Sequence, residues 1–129
     1  MLREIYHFRK IVLTILVHGR KIVDEVFTMR MLMQIRLPNG SYNAAVRDGS
    51  AGPKTNAILA ESRPEAVYFT EMNGQRTVVM IVELAKAAMI PTLAEPWFLS
   101  FDAEVAFHPV MSEEDLQAAG FDDLARKWG

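Results

Sequence analysis

In the stretch SFDAEVAFHPVM, His108 follows Glu104 by four residues. On an extended chain that spacing puts both side chains on one face. An imidazole beside a carboxylate can act as a general base oriented by the acid, and it can equally be a rim histidine hydrogen-bonded to a neighbour. Tyr68, in PEAVYFTEMNGQRTVVMIVEL, adds a hydroxyl that could meet a ligand or anchor an interface. His108, Glu104 and Tyr68 are the candidate catalytic residues. Glu83 and Glu104 could stand as acid and base in a cavity. They could also pair with Arg36 across strands, and sealing under a second chain favours that pairing, because an unpaired buried carboxylate is costly.

The candidate ligand-binding set is Arg36, Tyr68, Thr70, Thr77, Glu83 and Trp97. Trp97-Phe98 also has a plainer use, packing a helix onto the sheet. Arg47-Asp48-Gly49 offers an anion-binding corner or, more simply, a helix end with Gly49 as its left-handed cap. Other chemistry is excluded. The chain has no cysteine, and its three histidines (His7, His18, His108) lack metal-ligand spacing. No glycine loop has a phosphate-cradling pattern, and no Ser/His/Asp or Glu/His motif has catalytic spacing. No metal or cofactor is expected. The eight methionines suit adaptable packing.

The elements that must position these residues follow from period and punctuation. MRMLMQIRL alternates Met31, Met33, Ile35 and Leu37 with Arg30, Leu32, Gln34 and Arg36, the pattern of a half-buried strand, and PNG closes it as a turn. SYNAAVRDGSAGPKTNAILAESR predicts helix on both sides of DGSAGP, with a kink or a break at which Pro53 starts a second piece. Asn73-Gly74 is a strong two-residue hairpin signal, pairing Met72 with Gln75, Glu71 with Arg76 and Phe69 with Val78. One hairpin face is then Val67, Phe69, Glu71, Arg76, Val78, Met80 and Val82, a core face closed by a Glu71–Arg76 ion pair at its tip. The other carries Tyr68, Thr70, Met72, Gln75, Thr77, Val79, Ile81 and Glu83.

AKAAMIPTLAEPWF predicts a second helix, interrupted at Pro91 and ended near Pro96. A fourth strand sets Phe101, Ala103, Val105 and Phe107 against Asp102, Glu104, Ala106 and His108, and stops at Pro109. Ser112 then caps a helix with Glu113, Glu114 and Asp115 in its first turn, and Gly120 divides that tail. The order βαββαβ with right-handed crossovers predicts an α+β, ferredoxin-like domain with a four-stranded antiparallel sheet ordered 4-1-3-2 and both helices on one face. The mixed face is then free of helices. Leu32, Met72, Val79 and Ile81 on it amount to more apolar surface than a monomer normally leaves in water. Two such sheets packed face to face would enclose a small, partly polar cavity, so a homodimer is expected.

Length and charge fit this reading. The 129 residues suit one domain, half of them apolar and 23% charged. Residues 1–28 hold five basic and three acidic side chains, net +2, and residues 29–129 hold nine basic and thirteen acidic, net −4. An acidic body without a basic stripe argues against nucleic acid. The apolar run IVLTILV is far short of the roughly 20 residues of a membrane span. It has no small-residue cleavage site after it, so a secretory leader is not expected and the cytoplasm is the expected compartment. Residues 1–28 read as an N-terminal extension, a strand pair or a short helix, either upstream of the true start or a basic arm that docks on the body or a partner; residues 29–129 form the domain.

From about Met29 the chain resembles an uncharacterised bacterial family of the dimeric α+β barrel superfamily. The resemblance rests on NAAVRDG (43–49), PEAVYFTEMNGQRT (64–77), AEPWF (94–98) and FHPVM (107–111). It implies the ferredoxin-like fold and a dimer of facing sheets, and it implies no reaction. The wider superfamily includes cofactor-free monooxygenases, muconolactone-type isomerases and haem-degrading enzymes, an analogy at the level of fold alone. Three functions remain open: a small-molecule-binding homodimer without cofactor, a cofactor-free monooxygenase- or isomerase-like enzyme, and a structural or interaction dimer whose barrel is filled by Tyr68, Met72 and Ile81.

Overall fold

The computed structural model describes residues 8–129, so residues 1–7 of the expected extension, His7 among them, lie outside the described residues. Strands β1 (Phe8–Val17) and β2 (Arg20–Leu37) form a hairpin around His18-Gly19, both at positive φ. The expected strand at Met29 is thus the second half of a longer one that begins at Arg20. Helices α1 (Asn39–Asp48) and α2 (Ala51–Ser62) follow, then the hairpin β3 (Ala66–Met72) and β4 (Gln75–Leu84). A 3-10 turn (Ala87–Met89) leads into α3 (Ile90–Phe101), β5 (Glu104–Pro109), α4 (Glu113–Gln117) and α5 (Phe121–Trp128).

Register fixes the sheet. Residues Met31 to Arg36 of β2 pair with β4 on one side and β5 on the other, and β3 pairs with β4. Numbered in chain order without β1, these four antiparallel strands read 2-3-1-4 from one edge, the same neighbours as 4-1-3-2 from the other. The arrangement is compatible with a ferredoxin-like fold. Met29 pairs with both Phe8 and Leu84, which puts β1 opposite β4, end to end with β5 along the same edge of β2.

The alternation in β2 decides where the core lies. Met31, Met33, Ile35 and Leu37 are buried, as are their cross-strand partners Val78, Met80 and Val82. Ala45 of α1, Ala51 and Ile58 of α2, and Leu93, Trp97 and Phe101 of α3 close over them in one cluster. Each large side chain sealed there contributes about 1.5–3 kcal/mol. All three helices therefore cover the same face.

Several local expectations are corrected. Pro38-Asn39-Gly40 is not a turn: Pro38 caps α1 and its carbonyl accepts from Tyr42 N–H at 3.0 Å, so the helix starts at once. Pro91 does not interrupt the second helix but lies in the first turn of α3, where its missing N–H is an orphan anyway. Pro96 does not end it. The helix runs through Pro96 to Phe101, since Leu93, Trp97 and Phe101, spaced by four, are all buried and their burial outweighs one lost backbone bond. Phe101 consequently belongs to α3, and the last strand starts only at Glu104, after Asp102 turns the chain in the left-handed region.

Two further corrections concern the hairpin. Phe69 shares the core-facing side of β3 with Val67 but is 63% exposed, because the hairpin end of this edge strand runs past the helices. Glu71 and Arg76 face each other without an ion pair: Glu71 accepts from Gly74 N–H at 3.0 Å, and Arg76 donates to Asn43 at 2.8 Å. The break between the first two helices falls as expected. Gly49 caps α1 at φ 81°, and Pro53 stands in the first turn of α2.

Asn73 (φ 54°) and Gly74 (φ 80°) make the tight turn that the sequence signals. Replacing Gly74 with Val should cost at least about 1–2 kcal/mol, since a β-branched side chain resists the left-handed region. Urea unfolding reads this directly, and an unchanged midpoint would contradict the turn.

Candidate functional site

The face of the sheet that no helix covers carries the candidate residues, and strand pairing arranges them in rows. One row runs Thr70, Thr77, Arg36, Glu104; the next Tyr68, Val79, Gln34, Ala106; the third Ala66, Ile81, Leu32, His108. Directly opposed residues of antiparallel strands share a face with Cβ atoms about 5 Å apart, so each row is a line of neighbours. Thr77 is buried between Thr70 and Arg36, and its hydroxyl donates back to the Gln75 carbonyl at 3.1 Å. Tyr68 is 68% exposed. Leu32, Val79, Ile81 and Ala106 are half-buried and form an apolar centre.

Charges frame that centre. Arg36 pairs with Glu104 at 3.6 Å, and Arg30 pairs with Glu65 at 3.0 Å. Glu83, facing Arg30 across the β2–β4 pair, accepts from the Thr28 hydroxyl at 2.6 Å. Arg36 thus takes Glu104 of the two carboxylates offered by the sequence, because Glu104 is its register partner on β5 while Glu83 lies three rows away. A depression of about 220 Å³ lies beside this pair, lined by Gln34, Arg36, Glu104, Val105 and Ala106. The Nε atoms of Arg36 and Arg30 are shielded from solvent without a hydrogen-bond acceptor. A shielded N–H left without an acceptor costs about 1–3 kcal/mol.

The fold brings Arg36, Tyr68, Thr70, Thr77, Glu83, Glu104 and His108 to one face. It leaves Trp97 on the other. That indole is fully buried in the helix-covered core against Phe101, ring centroids 6.2 Å apart, and its Nε1 has no acceptor. His108 and Glu104 share the face but are not partners. Four residues of strand separate them by about 13 Å along the chain, and Glu104 is engaged by Arg36. His108 lies instead beside Leu32 and is exposed. Gln34 and Ala106, which line the depression, lie on the mixed face that the sequence predicts but are not among the candidate binding residues. Their signal was the register of β2 against β5, which no short motif carries.

Among the described residues, no group of three or more His, Asp or Glu side chains is placed to hold a metal ion, and no helix is long and apolar enough to cross a membrane. Neither a scan against models of protein families nor searches of curated proteins and of solved structures returns a match to this chain.

The Arg36–Glu104 pair is partly open to water on a single chain, so Glu104→Gln should cost less than about 1 kcal/mol there. Equilibrium unfolding of the dilute variant measures it. A cost of about 3 kcal/mol or more would contradict an open pair and mean that the charges are sealed from solvent.

Proposed function

We propose that this protein is a homodimer of the dimeric α+β barrel type, in which two helix-free sheet faces meet around a small cavity that binds a small molecule without a cofactor. The observation that carries the reading is the composition of that face: an apolar centre of Leu32, Val79 and Ile81 edged by Tyr68 and charged pairs, with the shielded, acceptor-less Nε of Arg36 beside a depression. A second copy would remove the apolar centre from water, and a ligand oxygen would satisfy the guanidinium edge. The resemblance read in NAAVRDG, PEAVYFTEMNGQRT, AEPWF and FHPVM points the same way, and cytoplasmic residence goes with this reading.

Binding is preferred to catalysis because Glu104, the carboxylate that would orient His108, is engaged by Arg36. The reading of a cofactor-free monooxygenase or isomerase would place His108 and Tyr68 at the reacting atoms and needs a different acid to orient the imidazole. A barrel filled by Tyr68, Met72 and Ile81 would leave a purely structural dimer.

Two measurements test the proposal. Ile81→Asp puts a charge at the centre of the apolar strip, and sedimentation should show monomer where the parent chain is a dimer; a variant that remains dimeric contradicts the interface. Native mass spectrometry of protein purified from cells should show a dimer with a reproducible added mass that Arg36→Met removes. A dimer of bare mass would favour the filled barrel.

A further inference from the structure

The opposite side of the sheet has an opening of its own. The helices cover β2 and β4 but stop short of β3, so Phe69 stands over a groove of about 300 Å³ whose lining includes Leu37, Tyr42, Arg76 and Val78. Its floor is apolar: Val78 is fully buried, and Phe69 is its cross-strand neighbour. Its end is cationic. The Arg76 guanidinium lies 4.8 Å from the centre of the Tyr42 ring, and Tyr42 stacks in turn on Phe101 at 5.1 Å. One terminal nitrogen of Arg76 donates to Asn43 at 2.8 Å.

These contacts hold Arg76 in place from α1. Asn39 of α1 donates to the Gly74 carbonyl at 3.2 Å, which ties the start of the helix to the hairpin turn, and Asn43 and Tyr42 of the same helix then fix the guanidinium. The nearest carboxylate in register, Glu71, is turned away to Gly74 N–H. A guanidinium has five donors, so the Asn43 bond leaves an edge for a bidentate acceptor.

We infer that this groove binds a small planar organic acid, its carboxylate on the Arg76 fork and its ring against Phe69. The exposed face of a phenylalanine favours an offset-stacked ring, and the fork matches the two oxygens of a carboxylate. A volume near 300 Å³ is at the lower end for ligand pockets, which limits the ligand to about one ring. The apolar floor disfavours a bare inorganic anion. At the sheet edge the lining reaches Thr70 and Thr77, but Gln34, Arg36 and Tyr68 of the helix-free face take no part in it.

The test is an NMR titration of the full chain with benzoate, with benzyl alcohol as the uncharged comparator. Saturable shifts confined to Arg76, Phe69 and Tyr42 are expected, with benzyl alcohol weaker by about tenfold or more, as expected for loss of a charge-assisted pair. Arg76→Gln should weaken benzoate by a similar factor. Arg76→Lys, which keeps the charge and the fold but not the fork, should weaken it measurably as well. Shifts that do not saturate, that appear on the Tyr68 and Arg36 side of the sheet, or that survive Arg76→Gln unchanged would overturn the inference. So would an absence of shifts because another copy of the chain fills the groove.

Discussion

The two-residue period of β2 and β4 is the constraint from which the rest of this structure follows. Once Met33 and Met80 are opposed and wholly buried, every odd residue of β2 from Met31 to Leu37 must lie under the helices, and every even one must lie on the far side. A slip of one residue would bury Arg30 and Arg36 and expose the methionines, at a cost far above the total stability of a domain of this size. The helices have no other apolar face to cover, and all three go to one side. The opposite side keeps what the alternation assigns to it, an apolar strip among arginines and carboxylates.

That division also explains why charge on the open face is so thoroughly paired. Arg30 finds Glu65, Arg36 finds Glu104, and Glu83 takes a hydroxyl from Thr28. Such pairs add little stability in water, but they lower the cost of covering the face with anything less polar than water. On the helix side, the edge strand β3 outruns its cover. Phe69, apolar by pattern and exposed by position, is what remains there, and the clamp between α1 and the Asn73-Gly74 turn sets a cation beside it. The two sides of the sheet therefore offer two kinds of surface built by the same register.

Much of this was legible in the sequence where the signal is local. Asn73-Gly74 specified its turn, Gly49 its helix end, and the Met31-to-Leu37 alternation its buried face, because each depends on φ or on period alone. His18-Gly19 carries a similar turn signal between apolar runs, but the surrounding pattern fits a strand pair or a short helix alike. What failed depended on distant packing. Pro96 looks like a helix end until Leu93 before it and Trp97 and Phe101 after it are seen in the core. Phe69 looks like core until the reach of the helices is known. Within the site, the types of residue were legible but their partners were not. Glu104 and Glu83 are equal claimants for Arg36 until strand register separates them, and Trp97, itself a candidate binding residue, lies on the other side of the sheet.

In the proposed dimer a second copy of the chain covers the helix-free face. Hydroxyl-radical footprinting across a range of protein concentrations tests it residue by residue. Tyr68, 68% exposed on a single chain, should lose reactivity as concentration rises, while Leu99, 82% exposed on the outer side of α3, should not change. Tyr68 that stays as reactive at high concentration as at low would contradict the account.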